Sequence, residues 1–309
     1  MNTKVYLLVL LMACASQLDL RAQQYFGTTQ YLWNQMSINP AFAGSKDALE
    51  SGLFYRNQWA GLDGAPTTEN VFVHAPISRN GFGAGLNLFR DRIGISRDIA
   101  VQGAFSYKMR MREGALSFGL SAEYGSQRMD WAQTNPYEQG DEAIPFADIA
   151  LPYYNFGFGS YFQTEQFFVG FSVPRLLETD QRFMNSESGV TALFETRRHA
   201  FLTAGAVFKA GRNVNIQPVA QVRYVEGAPV QVDAGALVNL NKVIWLGTNI
   251  RWGDSVSLMF DYDLTAQLRM GYAFDYTITR MQGHAGTHEF FLGYALKKKR
   301  DGYTHPRFF

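Results

Sequence analysis

The sequence predicts an all-β fold, specifically a closed antiparallel transmembrane β-barrel of about fourteen strands with an N-terminal periplasmic or lumenal segment. Three observations predict it. Apolar and polar residues alternate with a period of two over long runs; the connections between runs alternate between short and long; and no stretch is apolar enough for a spanning helix.

The composition of the 309 residues favours strands and turns. Phe, Trp and Tyr make up 15%, glycine accounts for 29 residues, and charged residues are only 18%, below the roughly 25% of ordinary soluble domains. A net charge of +1 gives no reason to expect nucleic acid or an acidic substrate.

Taken in chain order, the first element is a targeting signal spanning 1–22. Lys4 supplies a positive start, Val5 to Ala13 an apolar core, and Leu20-Arg21-Ala22 a small-residue end, so cleavage after Ala22 leaves Gln23 first in the mature chain. Leu11-Met12-Ala13-Cys14 also reads as a lipobox, which would lipidate Cys14, the sole cysteine. Either way the mature chain carries no disulfide. The apolar run is too short to span a bilayer, which takes about twenty residues. A membrane-embedded chain of this kind must close its sheet, because lipid cannot satisfy an open edge.

The segment 23–51 precedes the wall and is expected in the periplasm or the lumen. The barrel proper is expected over 52–296. From Ala115 to Tyr124, the set Leu116, Phe118, Leu120, Ala122, Tyr124 faces one way and Ala115, Ser117, Gly119, Ser121, Glu123 the other. The same division recurs over 213–224, 231–240, 243–252 and 266–276. These runs are about 9–12 residues long, against roughly 5–6 in soluble sheets and ~9–11 for a tilted membrane strand. Tyr124, Tyr224, Trp252 and Tyr276 close their runs, as interfacial aromatics would. Inward charges such as Glu123, Arg223, Asp233, Arg251, Asp261 and Arg269 are expected to pair across the lumen, since unpaired buried charge is costly.

Runs begin near Leu53, Glu69, Phe82, Arg97, Ala115, Tyr153, Gln166, His199, Asn213, Pro229, Lys242, Ser255, Ala266 and Thr287. Every second connection is short: Ser78 to Gly81, Arg110 to Gly114, Thr164-Glu165, Ala210 to Arg212, Asn239 to Asn241 and Asp263 to Thr265. The interleaved set holds the long ones, Gln127 to Pro152, Pro174 to Arg198 and Thr277 to Gly286, while its remaining members, such as Gly253-Asp254, are short. Short periplasmic turns opposite longer outer loops are the habit of outer-membrane barrels. With the first strand running outward, both termini are expected in the periplasm, including a basic tail over 297–309 opened by Lys297-Lys298-Lys299-Arg300.

Two stretches carry a family resemblance. One is Gln30-Tyr31 with Asn34, then Ser37-Ile38-Asn39-Pro40-Ala41-Phe42-Ala43-Gly44; the other is Tyr55-Arg56-Asn57-Gln58-Trp59, Gly61 and Asp63-Gly64-Ala65-Pro66-Thr67-Thr68. Gly81-Phe82-Gly83-Ala84-Gly85 and Asp91-Arg92-Ile93-Gly94 extend it. Together they resemble the PorP/SprF family of Bacteroidota outer-membrane proteins, with Asn39, Pro40, Ala41, Gly44, Tyr55, Arg56, Asn57, Trp59, Gly61, Gly64, Ala65 and Pro66 as signature positions. The resemblance implies a place in type IX secretion and gliding motility. Its partners would be secretion components, secreted surface proteins or adhesins, outer-membrane lipid, and a periplasmic or peptidoglycan-bound component. In physical terms, Asn39-Pro40 favours an extended residue followed by a fixed turn, and Gly44 permits positive φ or close approach to the wall.

No catalytic apparatus is visible, and no cofactor or metal is expected. His284 and His288 stand four apart but read as a loop entering a strand; Glu138, Asp141, Glu142 and Asp148 lack calcium-loop spacing. Gly83-Ala84-Gly85 falls inside a strand rather than before a helix, so it is no nucleotide fingerprint. The expected function is a non-enzymatic interaction barrel of the type IX secretion or gliding machinery. Its loops would receive or anchor secreted surface proteins, and its periplasmic end would dock other components. The alternative is a fourteen-stranded channel or transporter of hydrophobic compounds, with 23–51 as a plug. A soluble or lipoprotein β-sandwich is a third possibility.

Overall fold

The computed structural model describes residues 27–46, 48–131, 148–184, 191–279 and 283–297. The expected signal peptide, Cys14, Glu138, Asp141, Glu142 and the tail beyond Lys297 lie outside the described residues.

The wall starts with β1 (Ala48–Asn57), β2 (Thr67–Pro76), β3 (Phe82–Ile93), β4 (Ser96–Met111), β5 (Gly114–Met129), β6 (Ile149–Gln163) and β7 (Phe167–Val173). A separate hairpin, β8 (Thr179–Met184) with β9 (Thr191–Thr196), interrupts it. It resumes with β10 (His199–Ala206), β11 (Phe208–Lys209), β12 (Val214–Val225), β13 (Gln231–Leu240), β14 (Ile244–Arg251), β15 (Ser255–Asp263), β16 (Leu268–Thr277) and β17 (Thr287–Lys297). Each strand pairs antiparallel with its neighbour, and β1 pairs with β17 from Ala48↔Lys297 to Asn57↔His288, so no edge remains. β10 and β11 face β12 in one continuous register on either side of Val207, which makes them a single strand of the wall. The closed barrel therefore has 14 strands.

The faces divide as the alternation requires. On β5, Leu120 and Tyr124 are 63% and 65% exposed while Ser117, Ser121 and Glu123 are buried. Such an inversion, apolar side chains outside and polar ones inside, is stable only where lipid is the outer solvent. It excludes a sandwich, whose Leu and Phe rows would meet between two sheets. Tyr124, Tyr154, Tyr224, Trp252 and Tyr276 all point outward near one end of the wall, a girdle of aromatics where bilayer gives way to water. Beyond Tyr124 on β5 come Gln127 and Arg128, still paired with Leu151 and Ala150 of β6. The wall here rises past the lipid. This is why the connection expected over Gln127 to Pro152 is shorter than read: strand pairing continues to Met129↔Ile149.

The end with the β2–β3, β4–β5, β6–β7, β11–β12, β13–β14 and β15–β16 connections is the turn end; the other is the loop end. The long connections all fall at the loop end, though β3–β4 and β14–β15 are joined there by connections as short as the turns. The long connection after β7 is not irregular throughout, since it carries the β8–β9 hairpin. The wall begins at Ala48, earlier than expected from sequence, because Ala48 to Ser51 already pair with Tyr294 to Lys297.

Candidate functional site in the lumen

Residues 29–45 are buried without exception, and all of them lie inside the barrel. Three single-turn 3-10 helices, Tyr31–Trp33, Gln35–Ser37 and Pro40–Phe42, compact this segment into a plug. Short turns suit the sequence here. Asn39 is extended (φ −133°, ψ 104°), its side chain accepts from the Ala41 N–H at 3.0 Å, and Pro40 occupies the first helical position, where its missing donor costs nothing. Gly44 ends the segment at φ 63°, and a Cβ there would meet the Ala75 carbonyl and Gly83 Cα at 2.8 Å. Both physical readings of Gly44, positive φ and close approach, hold together.

The wall is hollowed to receive the plug. A Cβ on Gly119 would strike the backbone of Pro40 and Ala41, one on Gly159 the Asn39 amide, one on Gly85 the Met36 sulfur, and one on Gly83 the Ala43 carbonyl. Three strands thus contribute four glycines at the plug interface. Around this cradle, Phe42 packs edge-on against Tyr161 at 5.3 Å, and Trp33 edge-on against Trp245 at 5.3 Å.

Polar contacts fasten the plug along its length. At the loop end Arg56 donates to Glu289 at 2.9 Å, to Asp275 at 2.8 Å and to the Thr29 hydroxyl at 3.0 Å; Glu289 in turn accepts from the Thr29 and Gln30 N–H groups. Midway, Asn34 donates to Asn70, which donates to Asn87, both at 2.7 Å. Trp33 Nε1 donates to Asp261 at 3.1 Å. Arg269 lies over the indoles of Trp33 at 4.1 Å and Trp245 at 4.7 Å, and pairs with Asp263 at 2.7 Å. Near the turn end Lys108 donates to the Ser45 carbonyl at 2.9 Å.

The signature positions divide between two places. Asn39, Pro40, Ala41 and Gly44 sit in the glycine cradle. Arg56 is the hub of the loop-end ion network, while Tyr55 beside it points outward to lipid. Asn57 closes β1 opposite His288. Trp59 (φ 51°), Gly61, Gly64, Ala65 and Pro66 shape the β1–β2 loop. The Pro66 carbonyl accepts from the Gln58 N–H, the Gly64 carbonyl from the Gly94 N–H, and the Thr287 hydroxyl from the Trp59 N–H. Of the two spaced histidines, His288 is on β17 with the Tyr272 hydroxyl 2.8 Å from Nδ1, and His284 Nδ1 accepts from the Gly286 N–H.

One expectation needs correction. The inward charges do not pair across the lumen, because the plug occupies it; Arg223, Asp233 and Arg251 pair between the adjacent strands β12, β13 and β14. The described residues begin and end at opposite ends of the wall. Gly27 lies beside Arg223 and Thr29 beside Arg56, Asp275 and Glu289, all at the loop end, whereas β17 runs to the turn end. Thr29, Trp33 and Glu289 were not singled out from sequence. Thr29 and Trp33 belong to a segment without periodicity, and Glu289 differs from other inward carboxylates only in which strands flank it.

Comparison with known proteins agrees with this architecture. The family model described as "Type IX secretion system membrane protein PorP/SprF" matches residues 20–294. No curated protein matches the chain. Among solved structures, the CymD monoaromatic hydrocarbon channel superposes with a TM-score of 0.52 at 11% identity, covering 91% of this chain and 96% of CymD. A Pseudomonas aeruginosa FadL homologue superposes with a TM-score of 0.52 at 12% identity, covering 88% of this chain and 95% of the homologue. At these identities the likeness is one of fold, an outer-membrane barrel.

Proposed function

Since the chain belongs to the PorP/SprF family of type IX secretion membrane proteins, we propose that it is a non-enzymatic interaction barrel. Its loop end, at the cell surface, receives or retains a secreted surface protein. Its turn end, in the periplasm with the C-terminal strand end, docks other secretion components and a periplasmic or peptidoglycan-bound partner. The single observation that carries this reading is the plug. A lumen occupied from Thr29 to Ser45 and fastened by buried ion pairs and an asparagine ladder is suited to rigidity rather than to passage. Work is then left to the rims, where loops are free of packing duty. Three 15- to 16-residue strands, β4, β5 and β6, raise the loop-end rim clear of the lipid, which is where a surface protein would meet it.

Crosslinking in native membranes followed by identification of the captured proteins tests the proposal. Recovery of type IX components and a secreted protein is expected; recovery of neither overturns it. A second reading, a channel for hydrophobic compounds, draws on the shared fold with CymD and the FadL homologue. It predicts uptake or conductance by the intact chain in planar bilayers, which the first reading does not.

A further inference from the structure

One buried charge among the described residues comes from a loop. Arg175 follows Pro174 just after β7, at the loop end, yet its side chain turns back into the barrel and is 11% exposed. One guanidinium nitrogen lies 2.7 Å from the Glu123 carboxylate, donates to the Tyr153 hydroxyl at 3.1 Å and stands 3.8 Å from Asp98. The guanidinium also faces two rings, Phe89 at 5.7 Å and Tyr153 at 5.4 Å. Tyr153 is itself held by donating to Asp98 at 2.9 Å. Every wall of this pocket is built from strands: Phe89 on β3, Asp98 on β4, Glu123 on β5 and Tyr153 on β6. Only its occupant belongs to a loop.

The occupant fits imperfectly. Glu123 is 1% exposed, yet its carboxylate oxygens accept no well-aligned hydrogen bond. A buried carboxylate with unused acceptor capacity, aimed into a pocket with two aromatic faces, is the arrangement that recognises a planar guanidinium bidentately. Five residues of loop, Pro174 to Glu178, hold Arg175 there by a few backbone contacts. Leu176 N–H donates to the Phe156 carbonyl at 2.8 Å, and Asn155 clamps Leu177 by accepting from its N–H at 2.9 Å and donating to its carbonyl at 2.8 Å.

We propose that the Phe89–Asp98–Glu123–Tyr153 pocket is a recognition site for an arginine side chain of a protein partner arriving at the loop end, and that Arg175 fills it in the partner's absence. This rests on the reading that the loop end receives a protein. A partner's arginine takes the guanidinium position, and the 174–178 segment lifts from Asn155, changing the rim that carries the β8–β9 hairpin. The strand-borne walls stay in place, so the pocket is preorganised and only the loop moves.

The test uses the full chain in detergent micelles and three capped tripeptides differing only in a central arginine, lysine or citrulline. With Arg175→Ala, the arginine peptide binds roughly tenfold tighter than to wild type, because a competing internal ligand is gone. It also binds in preference to both the lysine and citrulline peptides, and Glu123→Gln in the same background abolishes binding. Removal of Arg175 leaves Glu123 without its cation, so a wild-type measurement stands beside it: a saturating arginine peptide speeds amide exchange at Leu176 and Leu177, and the citrulline peptide does not. Equal binding of the three peptides, or unchanged exchange at Leu176 and Leu177, overturns the pocket. If either occurs while membrane crosslinking still captures secreted proteins, the pocket fails and the receiving role stands.

Discussion

Arg56 shows how one side chain ties the plug to the wall. It bridges Asp275 on β16, Glu289 on β17 and Thr29 of the plug, and all four groups are nearly inaccessible. Removing the cation leaves two carboxylates buried side by side, a loss of about 3–5 kcal/mol. Arg56→Met should therefore lower the unfolding temperature measured by heat-modifiable electrophoretic mobility; an unchanged midpoint would show that the network is solvated. Gly119 acts at the same scale through volume alone. A valine there collides with the Pro40–Ala41 backbone, so Gly119→Val should expose the plug to protease while the wall stays closed. Resistance equal to wild type would mean the cradle yields.

At the scale of elements, plug and wall are made by different physics. The strands form because alternate faces meet lipid and lumen; the plug forms because its apolar residues, Tyr31, Trp33, Met36 and Phe42 among them, find cover only inside. The wall's hydrogen bonds are complete without the plug, since β1 pairs with β17 and β10 with β12. Deletion of 27–45 should thus leave a barrel that still inserts but passes ions, rising from no conductance to porin-like steps in planar bilayers. A deletion variant that fails to insert would make the plug part of the folding nucleus instead. The pattern of short and long connections was legible from turn residues such as Asn80-Gly81. The extension of β5 and β6 to Met129↔Ile149 was not, because Ser126 to Met129 lack apolar alternation.

The whole molecule is asymmetric from end to end. Gly27 lies at the loop end and Leu296 pairs with Leu49 near the turn end, so the described chain enters from one side and leaves from the other. Cys14 is the only cysteine, so single-cysteine variants built on Cys14→Ser are clean reporters. Thr28→Cys should react with a membrane-impermeant maleimide on intact cells, and Asn80→Cys in the β2–β3 turn only after the outer membrane is opened. The reverse pattern would invert the orientation in the membrane. Labelling of both on intact cells would mean that the probe crosses the barrel.

Alternation over runs too long for a soluble sheet, with no spanning helix, pointed to a lipid-facing barrel of about fourteen strands, because a period of two sorts every strand's faces independently of its neighbours. The NPAFAG and YRNQW–GAPTT stretches decided the family. Which residues meet inside was left to tertiary structure. Glycines at 83, 85, 119 and 159 carry no label marking them as one cradle, and Thr29 and Glu289 are 260 positions apart. Closing the sheet brings its first and last strands together, and only then does the lumen have a shape that the N-terminal segment can fill.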